Sequence, residues 1–146
     1  MYKSLALAAV IAVSTFANAD AFGFPLLERF TIPVFPIDAT SFEVIEADGA
    51  GGQQLWCAAG IFTTRVMGVQ RGDLYIKVAR GPSQNVPGRV GIVFTTQPVP
   101  DSFTTYSSGV REAGKRASVG MANALCFGEP ARRVRIRLPN GNLVRP

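Results

Sequence analysis

The chain is expected to fold as one α+β domain, an antiparallel sheet with two helices on one face joined by a disulfide. Three observations predict it. Apolar residues alternate with polar ones in short segments, the period of a half-buried strand. Two other segments repeat apolar residues at helical spacing. Two cysteines, Cys57 and Cys126, follow what reads as an export leader.

The leader is "MYKSLALAAVIAVSTFANAD". Lys3 gives a positive start, Leu5 to Val13 an apolar run, and Ala17-Asn18-Ala19 a small-x-small cleavage site. The run is shorter than the ~20 residues of a membrane span. The other explanation of the segment is a buried N-terminal helix. No cysteine follows the cut to carry a lipid anchor. A signal peptide over 1–19 leaves 127 residues from Asp20, enough for one domain with its own core. No later segment is apolar enough to span a bilayer, so the expected product is soluble, periplasmic or secreted, and of bacterial type.

Residues 20–40 carry Pro25, Pro33 and Pro36 among many apolar side chains. Proline forbids a long helix, so an extended arm packed on the domain is expected, with docking on a partner as its functional alternative. The domain proper is expected over 41–138. "SFEVIEA", 41–47, reads as a strand and "DGAGG", 48–52, as a turn. From Gln53 to Met67, Leu55, Ala58 or Ala59, Phe62 and Val66 mark a helix that Gly68 would stop. "DLYIKVA", 73–79, is a strand with Leu74, Ile76 and Val78 on one face and Tyr75 and Lys77 on the other. "RVGIVFTT", 89–96, would complete a hairpin with it. "FTTYS", 103–107, is either an extra strand or the approach to a helix expected over Lys115 to Cys126. "RRVRIRL", 132–138, is the last strand, with Val134, Ile136 and Leu138 inward, and 139–146 a tail.

Strand, helix, strand, strand, helix, strand is the order of the split βαββαβ sandwich, ferredoxin-like in topology. In it the start of the first helix and the end of the second share one edge of the sheet, so Cys57 and Cys126 can meet. The alternative is an α+β domain with extra strands from 20–40 or 103–107.

An even cysteine count in an exported chain favours a bridge. A catalytic thiol wants a basic partner, usually His, and the sequence has no His. Metal ligands of Cys or His type are too few, and neither CxxC nor CxxCH occurs, so no metal or cofactor is implied.

The formal charge is +5. It is uneven: residues 109–146 hold eight basic and two acidic side chains, residues 20–108 six and eight. The sharpest feature is Arg133, Arg135 and Arg137, which period-two spacing puts on one face of the last strand. Arginine forks suit carboxylates and phosphates. With Tyr75 and Lys77 they form the candidate binding face, for an anionic glycan, a lipid headgroup or an acidic protein. The plainer explanation is a charged edge strand that discourages edge-to-edge pairing. Nucleic acid is disfavoured by export and by the absence of a recognition motif.

Arg71-Gly72-Asp73 reads as a turn entering a strand, despite matching an adhesion tripeptide. "DGAGGQQ" sets glycines before a helix start, which can hold an anion, but matches no phosphate-loop pattern. Trp56 is expected to pack on the bridge, with sugar stacking as its functional alternative. The carboxylates Glu43, Glu46, Asp48, Asp73, Asp101, Glu112 and Glu129 are scattered, and no GxSxG or SxxK occurs. A hydrolase that assembles a carboxylate pair in space stays open.

The spacing of "LWCAAG", "LYIKVARGPS", "PGRVGIVFTT" and the late "ALC" resembles small uncharacterised secreted proteins of alphaproteobacteria, over residues 55–126. That resemblance implies an exported single domain with one bridge and brings no activity and no site residues. The expected function is a non-catalytic binding domain. The alternatives are an envelope accessory protein docking through its arm, and a small hydrolase.

Overall fold

The computed structural model describes residues 29–128 and 133–146. The expected leader over 1–19, the first part of the arm and Glu129 lie outside the described residues.

Seven strands and two helices follow one another. They are β1 (Phe30–Pro36), β2 (Ser41–Ile45), α1 (Gly52–Ile61, continued by a π-helical turn Phe62–Val66), β3 (Asp73–Pro82), β4 (Val90–Thr95), β5 (Arg116–Ser118), α2 (Val119–Ala124), β6 (Val134–Arg137) and β7 (Leu143–Val144). The strands form one curled sheet in the order β5-β3-β4-β2-β1-β6-β7. Every neighbouring pair is antiparallel except β1 and β6.

This corrects the four-stranded sandwich in favour of the alternative with an extra N-terminal strand. Residues 30–36 are not an arm laid on the domain. They form β1, inside the sheet, and the expected boundary between residues 40 and 41 coincides with the start of β2. The prolines are tolerated because β1 changes partner along its length. Phe30 to Pro33 pair with β6, and Val34 to Pro36 pair with β2. Pro33, which has no N–H to donate, stands at the hand-over. The expected tail also joins the sheet, as β7 beside β6.

The late helix is shorter than its apolar spacing suggested. Arg116 to Ser118 extend along β3 instead, and Ser118 Oγ accepts the N–H of Met121 at 3.0 Å, so the helix begins only after it. Residues 103–107 contribute a single bridge, Phe103 to Lys115, rather than a strand. The first helix runs as expected and stops at Gly68, whose φ of 74° suits glycine.

One face of the sheet carries the helices. Ile32, Val34, Phe42, Val44, Ile76, Ile92, Phe94 and Ile136 point into a core closed by Leu55, Trp56, Ile61 and Phe62. The Trp56 ring meets Phe94 edge-on at 5.0 Å between centroids. Cys57 and Cys126 are bonded, both fully within this core, with Cα atoms 5.0 Å apart. The bond ties α1 to the segment that ends α2. Beside it Gly60 lets the helices touch: a Cβ there would come within 3.0 Å of the backbone of Ala122 and Asn123.

The alternation of β3 is broken after Ile76. Ile76 faces Phe94 and Val78 faces Val93, so Lys77 is an extra residue against β4 and the pairing bulges. Val78, expected inward, is exposed, and Ala79 packs on the core in its place.

Candidate functional site

Arg135 and Arg137 lie on β6, and Arg133 lies just before it. Val134 and Ile136 are buried, Arg133 and Arg135 half-buried, and Arg137 exposed. Arg135 lies opposite Thr31 on β1 and donates through Nε to its Oγ1 at 2.8 Å. Arg137 lies between Pro33 of β1 and Leu143 of β7 and has no hydrogen-bond or ion-pair partner among the described residues. β7 pairs with Ile136 and Arg137 only, so the charged-edge explanation is weakened at Arg137 and stands at Arg135.

Tyr75 and Lys77 do not join that face. They sit on β3, four strand positions from β6, roughly 19 Å at the usual strand spacing. Tyr75 is buried, and Lys77 stands at the bulge. The basic face is therefore narrower than the sequence suggested, with Arg135 and Arg137 at its centre.

A second concave feature draws on parts of the chain far apart in sequence. A cleft of about 380 Å³ lies between the start of α1, the end of β2, the far half of β3 and the loop before β5. Glu46, Arg80, Gly52, Arg111, Glu112 and Lys115 contribute to its wall. Arg80 clasps Glu46 with Nε on one carboxylate oxygen and Nη2 on the other, the second bond 3.0 Å long. That clasp holds the Glu46 carboxyl below the usual glutamate range and raises the Arg80 guanidinium further. Lys115 is 4% exposed, and its Nζ donates to the carbonyls of Gly109 at 2.7 Å and Ser107 at 3.3 Å. Neither ion pair found among the described residues involves it.

The remaining carboxylate of interest, Glu43, is structural. It is 1% exposed on the face of β2 away from the helices. It accepts from Ser83 Oγ at 3.0 Å, Gln84 N–H at 2.8 Å, Asn85 N–H at 3.1 Å and Asn85 Nδ2 at 2.7 Å, pinning the β3–β4 loop over the sheet. Asp73 of the Arg-Gly-Asp stretch opens β3 and pairs with Arg116 at 3.4 Å, as a strand entry would. Among the described residues no three His, Cys, Asp or Glu side chains converge as metal ligands. No described helix is long and apolar enough to cross a membrane.

Sequence reasoning missed the cleft because its cations come from separate segments: Arg80 from β3, Arg111 and Lys115 from the stretch before β5. The one local signal was "DGAGGQQ", the glycine-rich start of α1. No family model, no curated protein and no solved structure matches the chain.

Proposed function

We propose that the protein is a non-catalytic binding domain working outside the reducing cytoplasm, and that it grips an anionic partner through the outer face of β6. The partner is an acidic protein segment or an anionic glycan or lipid headgroup at a cell envelope. The observation that supports this is Arg137, exposed and without a partner among the described residues, one side-chain repeat from Arg135. Two guanidinium forks spaced ~6.6 Å along a strand suit a row of carboxylates or phosphates. Pro33 and Leu143 on either side supply apolar contact for the body of such a ligand. The buried disulfide supports an oxidising compartment, in keeping with the leader.

A hydrolase is less well supported. The cleft does bring Glu46 and Glu112 to one wall. Arg80 keeps Glu46 ionised, so the general acid would have to be Glu112, which is exposed to solvent rather than enclosed.

The test uses the oxidised protein with vesicles containing an anionic phospholipid and, separately, a polyglutamate peptide. Wild type should bind at least one of them, more weakly as salt rises. Arg135→Glu with Arg137→Glu should weaken that binding at least tenfold. Equal binding by the folded double variant refutes the assignment of the face, and no binding to either probe refutes the ligand class.

A further inference from the structure

We infer that the cleft at the start of α1 is a separate site for a small oxyanion, a phosphoryl or carboxylate group carried by a small molecule. The inference is independent of the β6 face and rests on four features of the cleft itself.

The first is Lys115. Burying an ammonium without a counter-charge is costly, and among the described residues its acceptors are two backbone carbonyls. An ammonium has three N–H donors. Two are committed, and the third has no protein acceptor among the described residues. An anion in the cleft supplies both the missing charge and the missing acceptor.

The second is the helix start. Gly51 at the N-cap has no side chain to accept from the first turn, and no acidic residue occupies that turn. The first N–H groups of a helix lack partners within it, and this end of the helix is electropositive. Gln54 Oε1 turns back to accept from Gly51 N–H at 2.8 Å, leaving the next donors at the cleft wall uncapped by any side chain.

The third is that the two parts are built as one unit. Gly52 packs so closely on the loop before β5 that a Cβ would come within 2.1 Å of the Ser108 carbonyl oxygen. The flanking carbonyls of Ser107 and Gly109 are the ones that hold Lys115. Helix start and ammonium are thus fixed relative to each other before any ligand arrives, which lowers the ordering cost of binding.

The fourth is the charge balance of the wall. Arg80, Arg111 and Lys115 face Glu46 and Glu112. Arg80 cancels Glu46 directly. The remaining cations outnumber the remaining carboxylate, and the buried one is the cation: Lys115 is 4% exposed, whereas Glu112 is exposed. A volume of about 380 Å³ is that of a small-molecule pocket rather than of a bare ion.

The experiment is a titration of the oxidised protein with inorganic phosphate and with acetate at fixed ionic strength, followed through the backbone amide resonances. Saturable shifts should centre on Gly52, Gln53, Gly109 and Lys115. Phosphate binding tighter than acetate assigns the phosphoryl class, and the reverse order the carboxylate class. Lys115→Met should weaken binding at least tenfold and Arg111→Gln about threefold, while Arg65→Gln, at an exposed position on the π-helical turn, leaves it unchanged. Shifts that do not saturate, that follow every basic residue alike, or that keep the wild-type midpoint in folded Lys115→Met overturn the inference. If Lys115→Met does not fold, Arg111→Glu replaces it: a tenfold loss supports the site and an unchanged midpoint overturns it. Because none of these variants touches Arg135 or Arg137, failure here leaves the β6 face standing, and failure of the β6 face leaves this site standing.

Discussion

Gly91 and Glu43 form a lock whose strength can be measured. Gly91 lies on β4 beside β2, and a Cβ built on it would stand 2.4 Å from Glu43 Oε1, 2.8 Å from Cδ and 3.0 Å from Cγ. Gly91→Ala therefore cannot keep the carboxylate in place. Displacing it weakens up to four hydrogen bonds, from Ser83, Gln84 and Asn85, in a site where Glu43 is 1% exposed. Charge-assisted bonds contribute about 1.5–3 kcal/mol each, but the loop can rehydrate, so a loss of about 3 kcal/mol is expected. In a Glu43→Ala background the obstacle is gone. Alanine in a strand interior is then favoured over glycine by about 0.5–1 kcal/mol, because the φ of Gly91 is not among the positive values. The effect of Gly91→Ala should change sign between the two backgrounds. The coupling energy should be about 3–4 kcal/mol, far above the additivity error of about 0.5 kcal/mol. Urea unfolding of the four oxidised proteins, read by Trp56 fluorescence, measures it. Equal destabilisation by Gly91→Ala with and without Glu43 would refute the lock.

Two further outcomes follow from the packing and the charges. Removing the disulfide by Cys57→Ala with Cys126→Ala should cost about 4 kcal/mol in the chain-entropy model, given a separation of 69 residues. A urea midpoint within error of wild type contradicts that. Arg80→Gln should cost little at neutral pH, since the pair is a third exposed and screened by solvent. The folded state lowers the Glu46 pKa, so the pair's contribution is present above the unfolded glutamate value and lost as pH falls through the folded one. The gap between wild type and Arg80→Gln should therefore shrink as pH falls below the ordinary glutamate value of about 4.3, and a gap that widens with acidification contradicts the pairing.

What the sequence made legible was governed by local periodicity. The β3–β4 hairpin, α1 with its stop at Gly68, the inward residues of β6 and the cysteine pair all follow from spacing and composition. β1 did not, because proline argues against an internal strand. Only the change of ladder at Pro33 removes the objection, and that depends on β6, a hundred residues on. β5 was hidden for the opposite reason. Arg116 to Ser118 are three residues with no strand signature of their own, and the free edge of β3 recruits them. At Lys77 a bulge shifted the phase of a clean alternation, so Val78 went out and Ala79 in. For the sites the division is similar. Arg135 and Arg137 could be placed on one face by counting, but the burial of Tyr75 and its distance from β6 required the strand order. The cleft required four separate segments to meet, which no window of sequence contains.

The disulfide and the cleft are mechanically linked. Gly52, at the cleft, and Cys57 share α1. Lys115 leads directly into β5, β5 into α2, and α2 into Cys126. The sulfur bridge, with the close crossing of Gly60 on Ala122, therefore clamps together the two helices that fix the helix start and the ammonium. Loss of the bridge would release α2 and with it one anchor of Lys115, while β1, β6 and β7 at the far side of the sheet keep their own ladders. Oxyanion binding in the cleft should thus be more sensitive to reduction than binding at Arg135 and Arg137. A chain built this way holds its cleft best where thiols are oxidised.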